Sequence, residues 1–388
     1  MEGVTDFATR LWITQTGAPD GTTTPFLRVT KDYPPKRISA TFLPELELSK
    51  EHGIVTCVPQ LMASSTSDLI RLGEFFLSKT AFIDINCGCP SPTVVGHGAG
   101  SSLLETPDRF YRYLSDVTRA LGASRVSVKM RVGFFDEKEF PELIEVVRSF
   151  PLARLTVHGR TRTDRYTGLA RWHHIDVASR LLQSPVVGSG DVLDVKTYRE
   201  RVSAAPQAAG VMIGRGALRN PWIFSSLKNA PSSVVVERSL LLARVLQFVL
   251  LQDLQANHWP AFFNLVKEGF FNAAGSMCGR TVSAQNEKLA GMIYGNQTDP
   301  LPPSLWPVTR VSLSRGKMLW NYLRSGLAAP ATLSVPILRS GSWCDFIDGL
   351  EKVLACLPED NVGVGYDPSW DWVYAGAGSS GHSAKVEA

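Results

Sequence analysis

Short runs of β-branched and apolar residues alternate with helical patterns as far as residue 230, and no other feature of the chain restricts its fold as strongly. The strand candidates are 24–30 TPFLRVT, 54–58 IVTCV, 81–85 AFIDI, 125–130 RVSVKM, 153–157 ARLTV, 185–188 PVVG and 210–213 GVMI. Helical patterns lie between them, among them 66–79 TSDLIRLGEFFLSK, 106–121 TPDRFYRYLSDVTRAL and 136–150 DEKEFPELIEVVRSF. Strands that are apolar on both faces and alternate with helices predict parallel βαβ units. Seven of them predict an α/β fold of the eight-stranded parallel βα-barrel type, with one strand unaccounted for. A doubly wound open sheet would place a glycine-rich turn after an early strand, and none is seen.

Beyond residue 230 the character changes. The stretches 239–255 SLLLARVLQFVLLQDLQ, 314–327 SRGKMLWNYLRSGL and 342–357 SWCDFIDGLEKVLACL read as amphipathic helices, interrupted by the proline-rich 298–307 TDPLPPSLWP. The expected organisation is a barrel over 1–230, a C-terminal helical domain over 231–357 and a tail over 358–388. The glycine- and serine-rich AGAGSSGHSA of that tail reads as disordered.

The chain has 388 residues, 44% hydrophobic and 20% charged, which suits an ordinary globular protein. No run of eighteen apolar residues appears, so no membrane span is expected. The opening MEGVTDFATR lacks the charged-then-apolar pattern of a secretion signal. Six cysteines without framework spacing point to a reducing, cytoplasmic location. The net charge of +4 decides nothing alone. Within 154–171, however, stand Arg154, Arg160, Arg162, Arg165 and Arg171 against the single acid Asp164. Such a cluster suits a polyanion as partner, and it equally suits a solvated loop.

In βα barrels, chemistry sits at the C-terminal ends of the strands. The polar residues there are Gln60; Asn86, Cys87, Gly88 and Cys89; Lys129 and Arg131; His158, Gly159, Arg160 and Thr161; Ser189, Gly190 and Asp191; and Gly214, Arg215 and Gly216. The last two loops have the composition of a phosphate cradle, since glycine admits close backbone approach and a helix start favours an anion. DINCGCPSPTV (84–94) sets two cysteines one residue apart, and disulfide, metal, packing and chemistry all compete to explain them. A disulfide is geometrically poor at this spacing. A metal site would need further ligands, and only His97 is near in sequence. His173 and His174 read as structural, as does Cys57.

MEGVTD, PQL, DINCGCPSPTVVGHGAGSSLL, VKMRVG, TVHGRT, GSGD and MIGRGAL, in this order over residues 1–228, resemble the flavin-dependent tRNA-dihydrouridine synthases. NCGCP, the opening MEG and RGKMLWNYL look most like the bacterial C-type enzymes. The resemblance implies a TIM barrel with a helical RNA-binding domain, FMN as cofactor, NADPH or NADH as reductant, and tRNA as partner, with uridine 16 of the D-loop as target. A monomer is expected. It further implies Cys89 as the catalytic proton donor. FMN would be held by Met1, Gln60, Lys129, His158, Ser189, Gly190, Asp191, Gly214 and Arg215, and the uracil would lie near Asn86, Arg131 and Tyr166. Cys87 is left to packing.

The sequence departs from this pattern in three places. The family's first strand would end at about Met1, so the expectation is a barrel lacking that strand, with the natural start upstream. Ser189 stands where the family usually has Asn, and Pro92 where C-type members commonly have Lys. The stretch 250–308 has no assigned counterpart. Two other functions stay open at this point: a tRNA-binding paralogue without turnover, and a flavin barrel reducing a small pyrimidine.

Overall fold

The structure is a computed structural model, and it describes residues 4–29, 45–47, 56–228, 236–268, 270, 279–294, 302–327 and 329–364. The chain enters through α1 (Phe7–Gly17), whose first turn is capped by Asp6 accepting from Thr9 N at 2.8 Å. The short strands β1 (Gly21–Thr23) and β2 (Leu27–Arg28) pair in parallel with β3 (Thr56–Val58) and β4 (Gln60–Met62) respectively. Pro25 and Pro59 lie at the two breaks, where a residue without an N–H interrupts the ladder. The side chain of Thr24 bridges the gap, accepting from Gln60 N at 3.0 Å.

The principal sheet continues through β5 (Ile83–Cys87), β6 (Val126–Arg131), β7 (Arg154–His158), β8 (Val186–Ser189) and β9 (Gly210–Met212). Its order is β2-β4-β5-β6-β7-β8-β9, with every pair parallel. The connections run through α2 (Thr66–Leu77), α3 (Pro92–Gly96), α4 (Pro107–Leu121), α5 (Phe140–Arg148), α6 (His173–Leu181) and α7 (Val195–Ala204). This is the parallel βα architecture of a TIM barrel, with seven strands in the principal sheet among the described residues. Five of the expected strands recur as β5 to β9 within two residues of their sequence bounds. Residues 30, 54 and 55 of the first two lie outside the described residues, and Gln60, expected beyond a strand, opens β4 instead.

Alternation along the strands separates two faces. Ile83, Ile85 and Cys87 of β5, Val126, Val128 and Met130 of β6, and Leu155 and Val157 of β7 are all buried in the core that also takes in the helices around the sheet. Asp84 and Asn86, Ser127, Lys129 and Arg131, and Thr156 and His158 occupy the other positions. The helix ends follow ordinary chemistry. Thr106 caps α4, with Pro107 as its first residue, and Gly122 closes the same helix at φ 84°.

After α8 (Arg215–Arg219) and α9 (Ile223–Lys228) comes the helical part: α10 (Arg238–Asn257), α11 (Trp259–Lys267), α12 (Gly279–Tyr294), α13 (Arg310–Leu323), α14 (Ala331–Ser334) and α15 (Trp343–Ala355). By length and composition α10 could cross a bilayer, yet most of it is buried within the protein as a core helix. Its Asp253 carboxylate gathers Thr309 Oγ1 and Ser312 Oγ, each at 2.7 Å, together with Asn257 and Tyr294, and so ties α10, α12 and α13 together.

The second core also takes in α1, every residue of which is buried. Trp12 Nε1 donates to Arg244 O at 2.8 Å, and Arg244 donates back to Gln15 O at 3.0 Å. Gln252 and Arg315 both reach Asp6 and Thr9. The first helix of the chain is therefore packed into the helical part. At the other end, Arg238 N bonds Glu359 O and Val362 N bonds Val236 O, so the first residues of the expected tail are held against the start of α10. Residues 365–388 lie outside the described residues.

Candidate active site

The inward residues of β4 to β8 stand side by side. Sheet register pairs Gln60 with Asp84, Asn86 with Lys129, Lys129 with Thr156, Arg131 with His158, and His158 with Ser189. Sequence positions tens of residues apart thus form two adjacent polar rows at the C-terminal end of the sheet.

The loop after β5 is fixed on several sides. Asn86 Oδ1 accepts from Gly88 N at 3.0 Å and from Cys89 N at 2.9 Å. Ser101 N and Oγ hold Cys89 O at 3.2 and 2.8 Å, and Arg131 Nε holds Gly88 O at 2.8 Å. Gly100, at φ 61°, packs beneath: a Cβ there would lie 2.8 Å from Val94 and 3.1 Å from the Cys89 Cβ. Cys89 is partly exposed, whereas Cys87 is wholly buried among core residues. Burial pushes the Cys87 thiol far up, so it stays protonated and packs as a small apolar group. The two cysteines thus part company because Cys87 closes the strand against the core, whereas Cys89 lies in the loop beyond it.

Lys129 is half-buried beside this loop, and no hydrogen bond or ion pair holds it among the described residues. Burial and the neighbouring Arg131 pull its ammonium down to about 8. Burial also lowers Arg131, to about 10, so that it remains a cation at neutral pH. Burial and the cations Arg131, Lys129, Arg160 and Arg215 hold the His158 imidazole neutral. Arg131 Nη1 donates to Thr161 O and Arg165 O at 2.7 and 2.9 Å. The exposed ring of Tyr166 receives two guanidinium groups, Arg131 at 5.7 Å and Arg215 at 4.6 Å.

The glycine loops meet at the same end of the sheet. Gly190 has φ 122°, and a Cβ on it would stand 2.6 Å from the Ala170 Cβ. Gly216 faces Val192 O so closely that a Cβ would come within 2.2 Å, which sets the 190–192 and 214–216 backbones against each other. Gly214 is the residue before α8. Asp191, at φ 55°, turns its carboxylate inward to Arg160 Nη2 at 2.7 and 2.8 Å and to Ala170 N at 2.6 Å. Its side chain is therefore an internal brace, and its contribution to an anion site is the left-handed backbone of the loop. Trp172 Nε1 donates to Gly190 O at 2.9 Å.

Most of the site residues named from the sequence are thus brought together, with Met1 outside the described residues. Ser189 is buried on the sheet beside His158. Sequence reasoning missed Asp84, Ser101, Gly100 and Trp172, although HGAGSS was visible as a glycine–serine run close after Cys89. It also overcounted free cations between 154 and 171. Arg160 is spent on Asp191, Arg171 on Glu137 and Asp164, and Arg154 stacks over Phe82. His174 bonds Glu137 at 2.8 Å, and its ring lies tilted against that of His173.

The donor set fits a flat, phosphorylated cofactor. Lys129, Arg131 and Arg215 converge where the buried acid Asp191 is already neutralised by Arg160. His158 Nδ1 and Thr156 Oγ1 are buried without a hydrogen-bond partner among the described residues. A buried polar atom left open in this way calls for a ligand or water.

Residues 1–259 match the family model described as dihydrouridine synthase (Dus). The chain is similar to a probable tRNA-dihydrouridine synthase of Helicobacter pylori (strain ATCC 700392 / 26695). Identity there is 38% over 164 residues, covering 41% of this chain and 49% of that protein. It is also similar to the tRNA-dihydrouridine(16) synthase of Cupriavidus necator, 34% identical over 226 residues, covering 58% of this chain and 70% of that protein. The chain spans about half the length of the Helicobacter relative it matches. Among solved structures, a variant of NCR from Zymomonas mobilis aligns with a TM-score of 0.42 at 12% identity, over 57% of this chain and 80% of that one. On the match over residues 1–259, which takes in every strand and loop of the site, the chain belongs to the dihydrouridine synthase family.

Proposed function

We propose that this chain is a tRNA-dihydrouridine synthase that reduces the C5–C6 bond of a D-loop uridine, with FMN as its flavin and NADPH as its reductant. The observation that carries the reading is the fixed, partly exposed Cys89 loop beside the half-buried Lys129, which has no hydrogen bond or ion pair among the described residues. Lys129, His158, Ser189 and Gln60 would line the flavin, and the backbones of Gly190, Asp191, Gly214 and Arg215 would take its phosphate. Reduced FMN, when bound, would supply a hydride for uracil C6. Cys89 would give its proton to C5, and the hydrogen bonds to its backbone N–H and carbonyl hold its loop in place for that transfer. Tyr166, gripped by two arginines, offers a face on which an extruded base can stack. Relatives named as tRNA-dihydrouridine(16) synthases support position 16 as the target.

The test is direct. Purified protein should be yellow, and with NADPH it should convert one uridine of unmodified tRNA, located by mass mapping. Absence of flavin, or reduction of free pyrimidine but not of tRNA, overturns the reading.

Lys129 gives a pH dependence whose sign follows from its environment. The ring of reduced FMN is anionic, so beside Lys129 it would favour the charged form and raise the pKa from about 8. Binding above pH 8 therefore takes up a proton, and affinity for reduced FMN is expected to fall as pH rises from about 8 toward 10. Lys129→Met should bind more weakly and flatten that slope. Titrations across this range check it, and an identical slope in the variant would contradict the assignment.

Arg154, Arg162 and Arg165 have no acid partner among the described residues; Arg154 lies over Phe82, Arg162 over Phe134, and Arg165 is exposed. Arg162→Ala with Arg165→Ala should reduce the log–log salt slope of tRNA binding by roughly one to two units, at about 0.7–0.9 for each phosphate no longer neutralised. An unchanged slope places the RNA-binding surface elsewhere.

A further inference from the structure

Beneath the Cys89 loop lies a line of hydrogen bonds that the proposed chemistry does not by itself require. Asp84 is fully buried at its foot, and Gln60 and Asn86 are each 7% exposed. Gln60 Nε2 donates to Asp84 Oδ2 at 2.7 Å, and Asn86 Nδ2 donates to Gln60 Oε1 at 2.8 Å. Asn86 Oδ1 in turn accepts from the Gly88 and Cys89 amides. The other oxygen of Asp84 takes Ser127 Oγ at 2.5 Å.

The direction of this line follows from its ends. A carboxylate only accepts, and a backbone N–H only donates. With two amides between them, each amide has one orientation that satisfies both neighbours. Turning either one sets donor against donor or oxygen against oxygen inside the protein, at the full desolvation cost of the unmatched groups. Each amide is left with one spare N–H, on Gln60 Nε2 and Asn86 Nδ2, next to the Lys129 ammonium in the same rows. These spare N–H groups suit a ligand edge made of carbonyl oxygens, as flavin and uracil both carry.

We propose that Asp84 is a positioning residue that acts through Gln60 and Asn86 to hold the Cys89 backbone and to fix the orientation of their spare N–H groups along this edge of the site. The proposal rests on the function stated above, and the test separates the two. Asp84→Asn keeps an acceptor for Gln60, with its amide nitrogen toward Ser127 Oγ, which can turn its hydrogen to Ile83 O. Asp84→Leu keeps the bulk and removes the acceptor. In single-turnover oxidation of the NADPH-reduced protein by tRNA, Asp84→Leu should lose roughly 10- to 100-fold and Asp84→Asn no more than about threefold, the scale of one buried hydrogen bond. In a Gln60→Met background, Asp84→Leu should add little, because the two residues act as one unit. Equal losses in the Asn and Leu variants, or a full Asp84→Leu loss without Gln60, overturn the proposal.

A second measurement needs neither a variant nor a flavin. In wild-type protein with 15N-labelled glutamine and asparagine, the Gln60 and Asn86 side-chain amides should exchange slowly with solvent. Exchange at free-amide rates overturns the proposal even if Asp84→Leu does not fold. Wild-type protein that binds no FMN overturns the proposed function instead and leaves this amide measurement standing.

Discussion

Cys89→Ala is expected to lower uridine reduction by roughly 10² to 10⁴, the usual span for a lost general acid, while leaving flavin binding and flavin reduction by NADPH intact. The separation follows from the geometry. Every hydrogen bond named around Cys89 uses its backbone N–H or carbonyl, so alanine keeps the loop and removes only the thiol. Cys87→Ala should behave differently. That side chain is fully buried against the helices, so its truncation costs on the order of 1 kcal/mol of stability and little rate. The measurement is single-turnover reoxidation of pre-reduced enzyme by unmodified tRNA, run on wild type and both variants. A Cys89→Ala enzyme that reoxidises like wild type, or a Cys87→Ala enzyme that stalls, contradicts the assignment.

The largest loss of stability is expected from Asp191→Asn. Arg160 and Asp191 have side chains that are 0% and 2% exposed. Arg160 also donates to Thr167 O and Gly168 O, so the guanidinium is held in place even when its counter-charge is gone. Removing one partner of such a pair costs about 3–5 kcal/mol, because a buried charge is left unmatched. That is a large part of the roughly 5–15 kcal/mol typical of a whole domain. Asparagine tolerates the left-handed backbone at φ 55°, which isolates the charge from backbone strain. Adding Arg160→Leu should recover much of the loss, since no buried charge then remains. Denaturant midpoints of the single and double variants decide it. A double variant no more stable than Asp191→Asn would mean that unmatched charge is not the source.

The strands were legible because their outward positions, such as Ile83, Ile85 and Cys87, are apolar without interruption. The functional rows were legible because polar residues occupy the alternate positions of the same short runs, as in Ser127, Lys129 and Arg131. What the sequence concealed is pairing across distance. Nothing local marks Asp84 as the partner of Gln60, or Arg160 as that of Asp191 31 residues later. The arginine cluster misled for the same reason: counting charges says nothing of which acids fold back onto them. The break at Pro59 shifted Gln60 into a strand, because the ladder resumes once Thr24 has bridged the gap.

The burial of α1 among the later helices has a consequence for the chain as it is made. Trp12 reaches its carbonyl partner 232 residues further on. At about 5–20 residues per second, the ribosome delivers that partner roughly ten to fifty seconds after Trp12 itself. Through that interval Phe7, Leu11 and Trp12 leave the exit tunnel with no apolar surface of their own to join, while the strands from β4 onward can already pair with their neighbours. Helix α1, made before the strands, is therefore among the last to settle. A nascent chain arrested before α10 should accordingly be captured by chaperones through α1, and one arrested after α13 should be released.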